Sequence, residues 1–125
     1  MSTRKVLIVD DSPILRRAVR KAVQQAGVDD SQIREAGNGA EALAIFEALD
    51  VALVLLDLHM PILDGVGFLR ELKARNQESK ADVIIVSTES NEERLREVRA
   101  LGARDVLRKP FEPEQIREYV EKMEV

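Results

Sequence analysis

The chain contains no cysteine, which removes disulfide scaffolds, thiolate metal sites and thiol catalysis together. It has a single histidine, so an ordinary zinc centre would lack its ligands. Tryptophan is absent and aromatic residues make up only 3% of the sequence. No apolar run approaches the ~18 residues of a membrane span, and the N-terminus has no signal-peptide pattern. The expectation is a cytoplasmic protein with no membrane partner. There is no linker, internal repeat or low-complexity tract. A net charge of -4 argues against nucleic-acid binding by the surface as a whole. What is present fits one domain filling residues 1–125: 45% apolar residues for a single core and 34% charged residues for strongly amphipathic helices.

The chain is organised around Val51-Ala52-Leu53-Val54-Leu55-Leu56, an unbroken apolar run that stops at Asp57. A run without alternation reads as a strand buried on both faces, as in a parallel sheet covered by helices. Val6-Leu7-Ile8-Val9 runs likewise into Asp10-Asp11, and Val83-Ile84-Ile85-Val86 into Ser87. Carboxylates and a hydroxyl at the carboxyl ends of parallel strands lie where open α/β sheets bind ligands.

Strand and helix signals alternate throughout. Ser12 and Pro13 suit an N-cap and a first helical position, and the helix they open has Leu15, Val19, Ala22 and Ala26 inward and ends at Gly27. Gln32 to Ala36 is a short polar strand that belongs at a sheet edge. Gly37-Asn38-Gly39 turns into a second helix, and Met60-Pro61-Ile62-Leu63-Asp64-Gly65 is a loop before the third. Ser90 to Glu93 has capping-box spacing ahead of the fourth helix. Val106-Leu107 is a short last strand, and Pro113 opens the fifth helix. Five strands alternating with five helices predict an α/β fold, with right-handed crossovers placing helices on both faces of the sheet.

Three crowded carboxylates raise one another's pKa unless a cation relieves them. Magnesium takes oxygen ligands, binds through one or two carboxylates and keeps waters that a phosphate can replace, so Asp10, Asp11 and Asp57 suit it better than calcium. With Ser87 and Lys109 also at strand ends, the set fits phosphoryl transfer. Asp57 would be the nucleophile, and the hydroxyl and ammonium would hold the transferred group.

Asp10-Asp11, Asp57, Met60-Pro61 with Asp64-Gly65, Ser87 and Lys109-Pro110-Phe111, in this order and spacing, resemble a response-regulator receiver domain over essentially the whole chain. The resemblance implies the doubly wound strand order 2-1-3-4-5, in a domain acting alone. It also implies that Asp57 accepts a phosphoryl group from a histidine kinase or histidine phosphotransfer protein. The metal, magnesium with manganese as the alternative, would be bound by Asp11, Asp57 and the backbone carbonyl of His59, with Asp10 acting through water. Ser87 and Lys109 would contact the phosphoryl oxygens, with Thr88 beside them, and Lys109-Pro110 is expected to be cis. Any enzymatic activity would be limited to self-catalysed transfer and autodephosphorylation. The expected partner surface comprises Ile14 near the site and Arg94, Arg99, Arg104 and Arg108 on the face that presents the signal to an unidentified downstream protein. No DNA-binding domain is expected in the chain.

Val106 stands where receivers often carry a switching aromatic, Thr88 is bulkier than the usual Ala or Gly, and His59 with Glu89 should govern water access to the phosphoryl group. An aspartate-nucleophile phosphatase would usually carry a second Asp two residues after the nucleophile, where this chain has His59. A flavodoxin-like electron carrier would need a Ser/Thr-Gly-rich phosphate loop after the first strand. A receiver-like scaffold that binds partners without phosphorylation is the remaining alternative, kept open by Val106. The basic run Arg16, Arg17, Arg20 and Lys21 reads as a solvated helix face or as a dock for an acidic partner.

Overall fold

The computed structural model describes residues 4–123, in which five strands alternate with five α-helices. The strands are β1 (Lys5–Val9), β2 (Ile33–Ala36), β3 (Val51–Leu56), β4 (Asp82–Ser87) and β5 (Asp105–Arg108). The helices are α1 (Pro13–Gln25), α2 (Gly39–Ala48), α3 (Gly65–Ala74), α4 (Glu92–Ala100) and α5 (Pro113–Lys122). All strand pairs are parallel and the order is β2-β1-β3-β4-β5. This is the doubly wound arrangement expected from sequence, with the polar β2 at one edge and the short β5 at the other.

The strands of the sheet interior serve two cores at once, which is why they read as continuous apolar runs. Leu7, Val9, Val54, Leu56, Val83 and Ile85 meet α2, α3 and α4 through Phe46, Phe68, Leu72 and Val98. Their alternate neighbours Val6, Ile8, Leu53, Leu55, Ile84 and Val86 meet α1 and α5 through Val19, Val23, Ile116 and Val120. A period of two along each strand therefore divides the aliphatic residues between the two helical layers. Phe46 and Phe68 pack edge to face with centroids 6.1 Å apart, tying α2 to α3.

Helix starts follow local chemistry. Ser12 caps α1 by accepting from Leu15 N, and Asn38 and Asp64 cap α2 and α3 by accepting from Glu41 N and Gly67 N. The cap of α4 falls one residue later than the capping-box spacing suggests: Asn91, not Ser90, accepts from Arg94 N. Ser90 N is instead bonded to the Glu89 carboxylate. A 3-10 turn over Asp30–Gln32, with Asp29 as its cap, takes up Gln32 and starts β2 at Ile33. β5 extends one residue beyond the predicted pair at each end, because its terminal residues at the sheet edge can be charged and still pair on one side.

Candidate functional site

The carboxyl ends of β1, β3, β4 and β5 converge where the strand order reverses about β1. Main-chain hydrogen bonds fix the first residue beyond β1, β3 and β5. Asp57 N donates to Val9 O, Asp10 N to Ala36 O and Lys109 N to Ser87 O, at 2.8, 3.1 and 3.1 Å. Carboxylate oxygens of Asp10, Asp11 and Asp57 lie within 4.8 Å of one another. Asp10 and Asp57 are buried, Asp11 opens to solvent, and Ser87 is fully enclosed. The acidic trio, the hydroxyl and the lysine picked out by sequence are thus brought to one place.

Lys109 is the cation inside this cluster. Its Nζ sits 2.8 Å from Asp10 Oδ2 and 3.7 Å from Asp57 Oδ1, with little exposure of any of the three side chains. Burial pushes the Asp57 carboxyl above its ordinary value; Lys109 opposes that rise and the neighbouring Asp10 reinforces it. One Asp57 oxygen also accepts from Leu58 N at 2.9 Å. Asp10 is held by Ser12 N on Oδ1 at 2.9 Å, so the α1 N-terminus helps orient it. Two buried carboxylates, a third at the rim and one ammonium leave an excess of negative charge, and the donors are all hard oxygens. That is a fit for a small divalent cation such as magnesium.

The β3–α3 loop is fitted closely under the site. A Cβ on Gly65 would lie 2.5 Å from the Asp57 carbonyl, and Gly65 N donates to Leu58 O at 3.0 Å. The loop also contains a strained residue: Ile62 has φ 69° and stands over solvent, with Leu63 N closing a tight turn onto Pro61 O at 2.8 Å. On the opposite side, Glu89 N donates to Ser87 Oγ. The Glu89 carboxylate accepts from Ser90 N and Asn91 N, which lowers its pKa, and lies 3.4 Å from His59 Nε2. His59 and Glu89 therefore link the loops that follow β3 and β4, with the imidazole exposed. Sequence position placed each near the phosphoryl path, but their pairing depends on how the two loops face each other.

The remaining candidates occupy distinct places. The Lys109-Pro110 peptide is cis. Thr88, Lys109, Pro110 and Phe111 line one side of an apolar cleft of about 670 Å³, opposite Leu15 and Ala18 of α1. Ile14 is 75% exposed on α1, and Val106 is half-buried against the α2–α4 core. Three of the four arginines assigned to the output face already hold carboxylates: Arg94 with Glu97, Arg99 with Asp105 and Arg104 with Asp82. Arg104 precedes β5 and so lies at the end of the sheet away from Asp57. Arg108 is exposed, with no carboxylate partner among the described residues. In α1, Arg16 and Arg20 are partly buried in ion pairs with Glu35, and Arg20 also binds Asp30. Arg17 and Lys21 form the exposed part of the basic run, which is therefore not one solvated face.

Comparison with known proteins gives one answer. A sequence model described as "Response regulator receiver domain" matches residues 6–121. A probable chemotaxis protein CheY from Rhizobium etli is 35% identical over 117 residues, 94% of this chain and 89% of that protein. The nitrate/nitrite response regulator protein NarL of Escherichia coli is 32% identical over 89% of this chain, which spans only 50% of that longer protein. The solved structure of Vibrio cholerae chemotaxis protein CheY4 superposes with a TM-score of 0.85 at 30% identity, covering 98% of this chain and all of that one. No helix among the described residues is long and apolar enough to cross a membrane.

Proposed function

The chain belongs to the response regulator receiver domain family, a phosphorylation-dependent module of two-component signalling, and from that premise we propose that Asp57 is its phosphoryl acceptor. The observation that carries the assignment is the meeting of Asp10, Asp11 and Asp57 within 4.8 Å, with Lys109 between Asp10 and Asp57. Residues 1–125 together form one receiver domain in this reading.

In this reading a carboxylate oxygen of Asp57 attacks the phosphorus of a phosphohistidine on a histidine kinase or phosphotransfer protein. The N–P bond breaks as the O–P bond forms, and the imidazole leaves with a proton from solvent. Asp11, Asp57 and the His59 carbonyl would hold a magnesium ion, with Asp10 reaching it through water. When bound, the ion supplies positive charge that offsets the phosphoryl oxygens and the carboxylates. Lys109 neutralises part of the acidic cluster before transfer and is close enough to turn to the phosphoryl group afterwards. The Ser87 hydroxyl accepts from Glu89 N and retains a proton to donate, so one side chain can link the phosphoryl group to the β4–α4 loop. The His59–Glu89 pair shields the Asp57 side of the site and so sets how fast water removes the group. Any activity of the chain itself is limited to this transfer and its hydrolysis. The protein acts in the cytoplasm beside its histidine partner.

Intact mass after incubation with magnesium and phosphoramidate tests the assignment. One added phosphoryl group is expected, lost on chelation and absent from Asp57→Asn. Equal labelling of the Asn variant would reject Asp57 as the acceptor, and no labelling of the wild type would favour a phosphorylation-independent scaffold.

A further inference from the structure

We infer that Arg16 is a positioning residue for the metal pocket: it sets the Asp10–Asp11 peptide, and through it the Asp11 carboxylate, without touching the reacting groups. The inference rests on the reading of Asp10, Asp11 and Asp57 as the cation site. The Arg16 Nη1 donates to the main-chain carbonyl of Asp10 at 2.6 Å, while its Nε donates to Glu35 Oε1 at 3.0 Å. The guanidinium is mostly buried and fixed at both ends. Glu35 in turn lies on β2, paired with Ile8 of β1, and its second oxygen is taken by Arg20 Nη1 at 2.8 Å.

The physical consequence follows from the planar peptide. The carbonyl of Asp10 and the N–H of Asp11 belong to one rigid unit and point in opposite directions, so holding the oxygen fixes the plane and the exit direction of the Asp11 Cα. Asp10 is already tied by its own N–H to Ala36 O and by its carboxylate to Ser12 N and Lys109 Nζ. Asp11 is exposed and belongs to no strand or helix. The Asp10 carbonyl is therefore the handle by which the fold controls Asp11, and Arg16 is what grips it. A fork-shaped guanidinium suits this role because it can reach a carbonyl and a carboxylate from one plane. Residues behind metal ligands commonly change metal affinity about tenfold when removed.

Charge alone predicts the opposite sign, since deleting a cation near a cation site should tighten metal binding. Arg16→Ala and Arg16→Lys separate the two, with Arg20→Ala as a control that breaks ion pairs in the same network without a contact to Asp10. Magnesium is titrated against the Asp11 and Asp57 amide signals by NMR, and the magnesium dependence of phosphoramidate labelling is followed in parallel. We expect the magnesium Kd to rise about tenfold in Arg16→Ala. A smaller rise is expected in Arg16→Lys, and Arg20→Ala should stay within about twofold of wild type. The labelling rate at saturating magnesium should be nearly restored in both Arg16 variants, the split that distinguishes positioning from general loss of structure. Unchanged or tighter binding in either folded Arg16 variant, or equal weakening by Arg20→Ala, would overturn the inference alone. Failure of the wild type to bind magnesium at these amides would instead overturn the reading of the site, and this inference with it.

Discussion

Asp57 must be ionised to act as a nucleophile, yet it is buried beside another carboxylate, so the folded chain holds its proton more tightly than the unfolded chain does. The sign of the pH effect follows. The contribution to stability is fully present below the unfolded carboxylate pKa and is lost as pH rises through the raised folded value, because ionisation is then disfavoured in the fold. Asp57→Asn removes that term. Urea denaturation without metal should show the variant more stable than wild type near neutral pH, by about 1 kcal/mol. The gap should close toward the ordinary carboxylate range. A variant less stable than wild type at neutral pH would mean that the pairing with Lys109 outweighs burial. Lys109 is caught in the same balance: it offsets Asp10 and Asp57, and a phosphoryl group on Asp57 would compete for it.

Among the elements, β5 and its neighbours carry the part of the switch that Val106 puts in question. A valine has no ring to swing. The corner between the helices is held instead by Asp105, at the start of β5, whose Oδ2 accepts from the Tyr119 hydroxyl of α5 at 2.8 Å. Arg99 of α4 approaches the other oxygen at 3.8 Å. Burial, followed by the bond to Asp105, raises the Tyr119 hydroxyl to about 12. Tyr119 is the only tyrosine and there is no tryptophan, so an absorbance titration reports on this corner directly. At pH about 10, the ordinary midpoint, the resting protein should keep Tyr119 largely un-ionised. Near neutral pH, adding magnesium and beryllofluoride, a phosphoryl mimic, should shift the Tyr119 ring NMR signals if the signal spreads from Ser87 and Lys109 through β5. Unchanged ring signals would place the output elsewhere, at the β4–α4 loop alone or beside α1. Since Arg94, Arg99 and Arg104 are already paired, an acidic partner of this face would have to displace bound carboxylates or rely on exposed arginines such as Arg96 and Arg108.

Over the whole molecule, the site is a place where folding stability is given up for function. Three carboxylates meet where β1 and β3 run side by side in the sheet, at the carboxyl ends of the two strands. A cation that binds only the folded chain should return stability by mass action, about 2.7 kcal/mol at a free concentration one hundred times Kd. Thermal unfolding with rising magnesium should therefore show a steady increase in Tm for wild type and a much smaller one for Asp57→Asn. Equal increases would locate the stabilising ion outside this cluster.

The sequence by itself determined the fold class and the identity of the acidic set. Unbroken aliphatic strands can be satisfied only between two helical layers, and a chain that alternates strands with amphipathic helices has little choice but a parallel sheet. Four of the strands also end in a polar or charged residue, at the last position of β4 and just beyond β1, β3 and β5, which is why Asp10, Asp57, Ser87 and Lys109 read as neighbours from the sequence. Boundaries governed by competing local caps were less legible: Asn91 displaced Ser90, and the 3-10 turn after Asp29 took Gln32 from β2. Only the tertiary structure decided what the charged side chains do. Arg16, Arg17, Arg20 and Lys21 look alike as a basic run, yet the crossover to β2 brings Glu35 against Arg16 and Arg20 and leaves Arg17 and Lys21 in water. The grip of Arg16 on the Asp10 carbonyl, the meeting of His59 with Glu89 and the corner made by Asp105 and Tyr119 all join loops or elements distant in sequence. Ion pairs and hydrogen bonds of that kind depend on distances of a few tenths of an ångström, and the packing of the two layers sets those distances; no residue spacing encodes them.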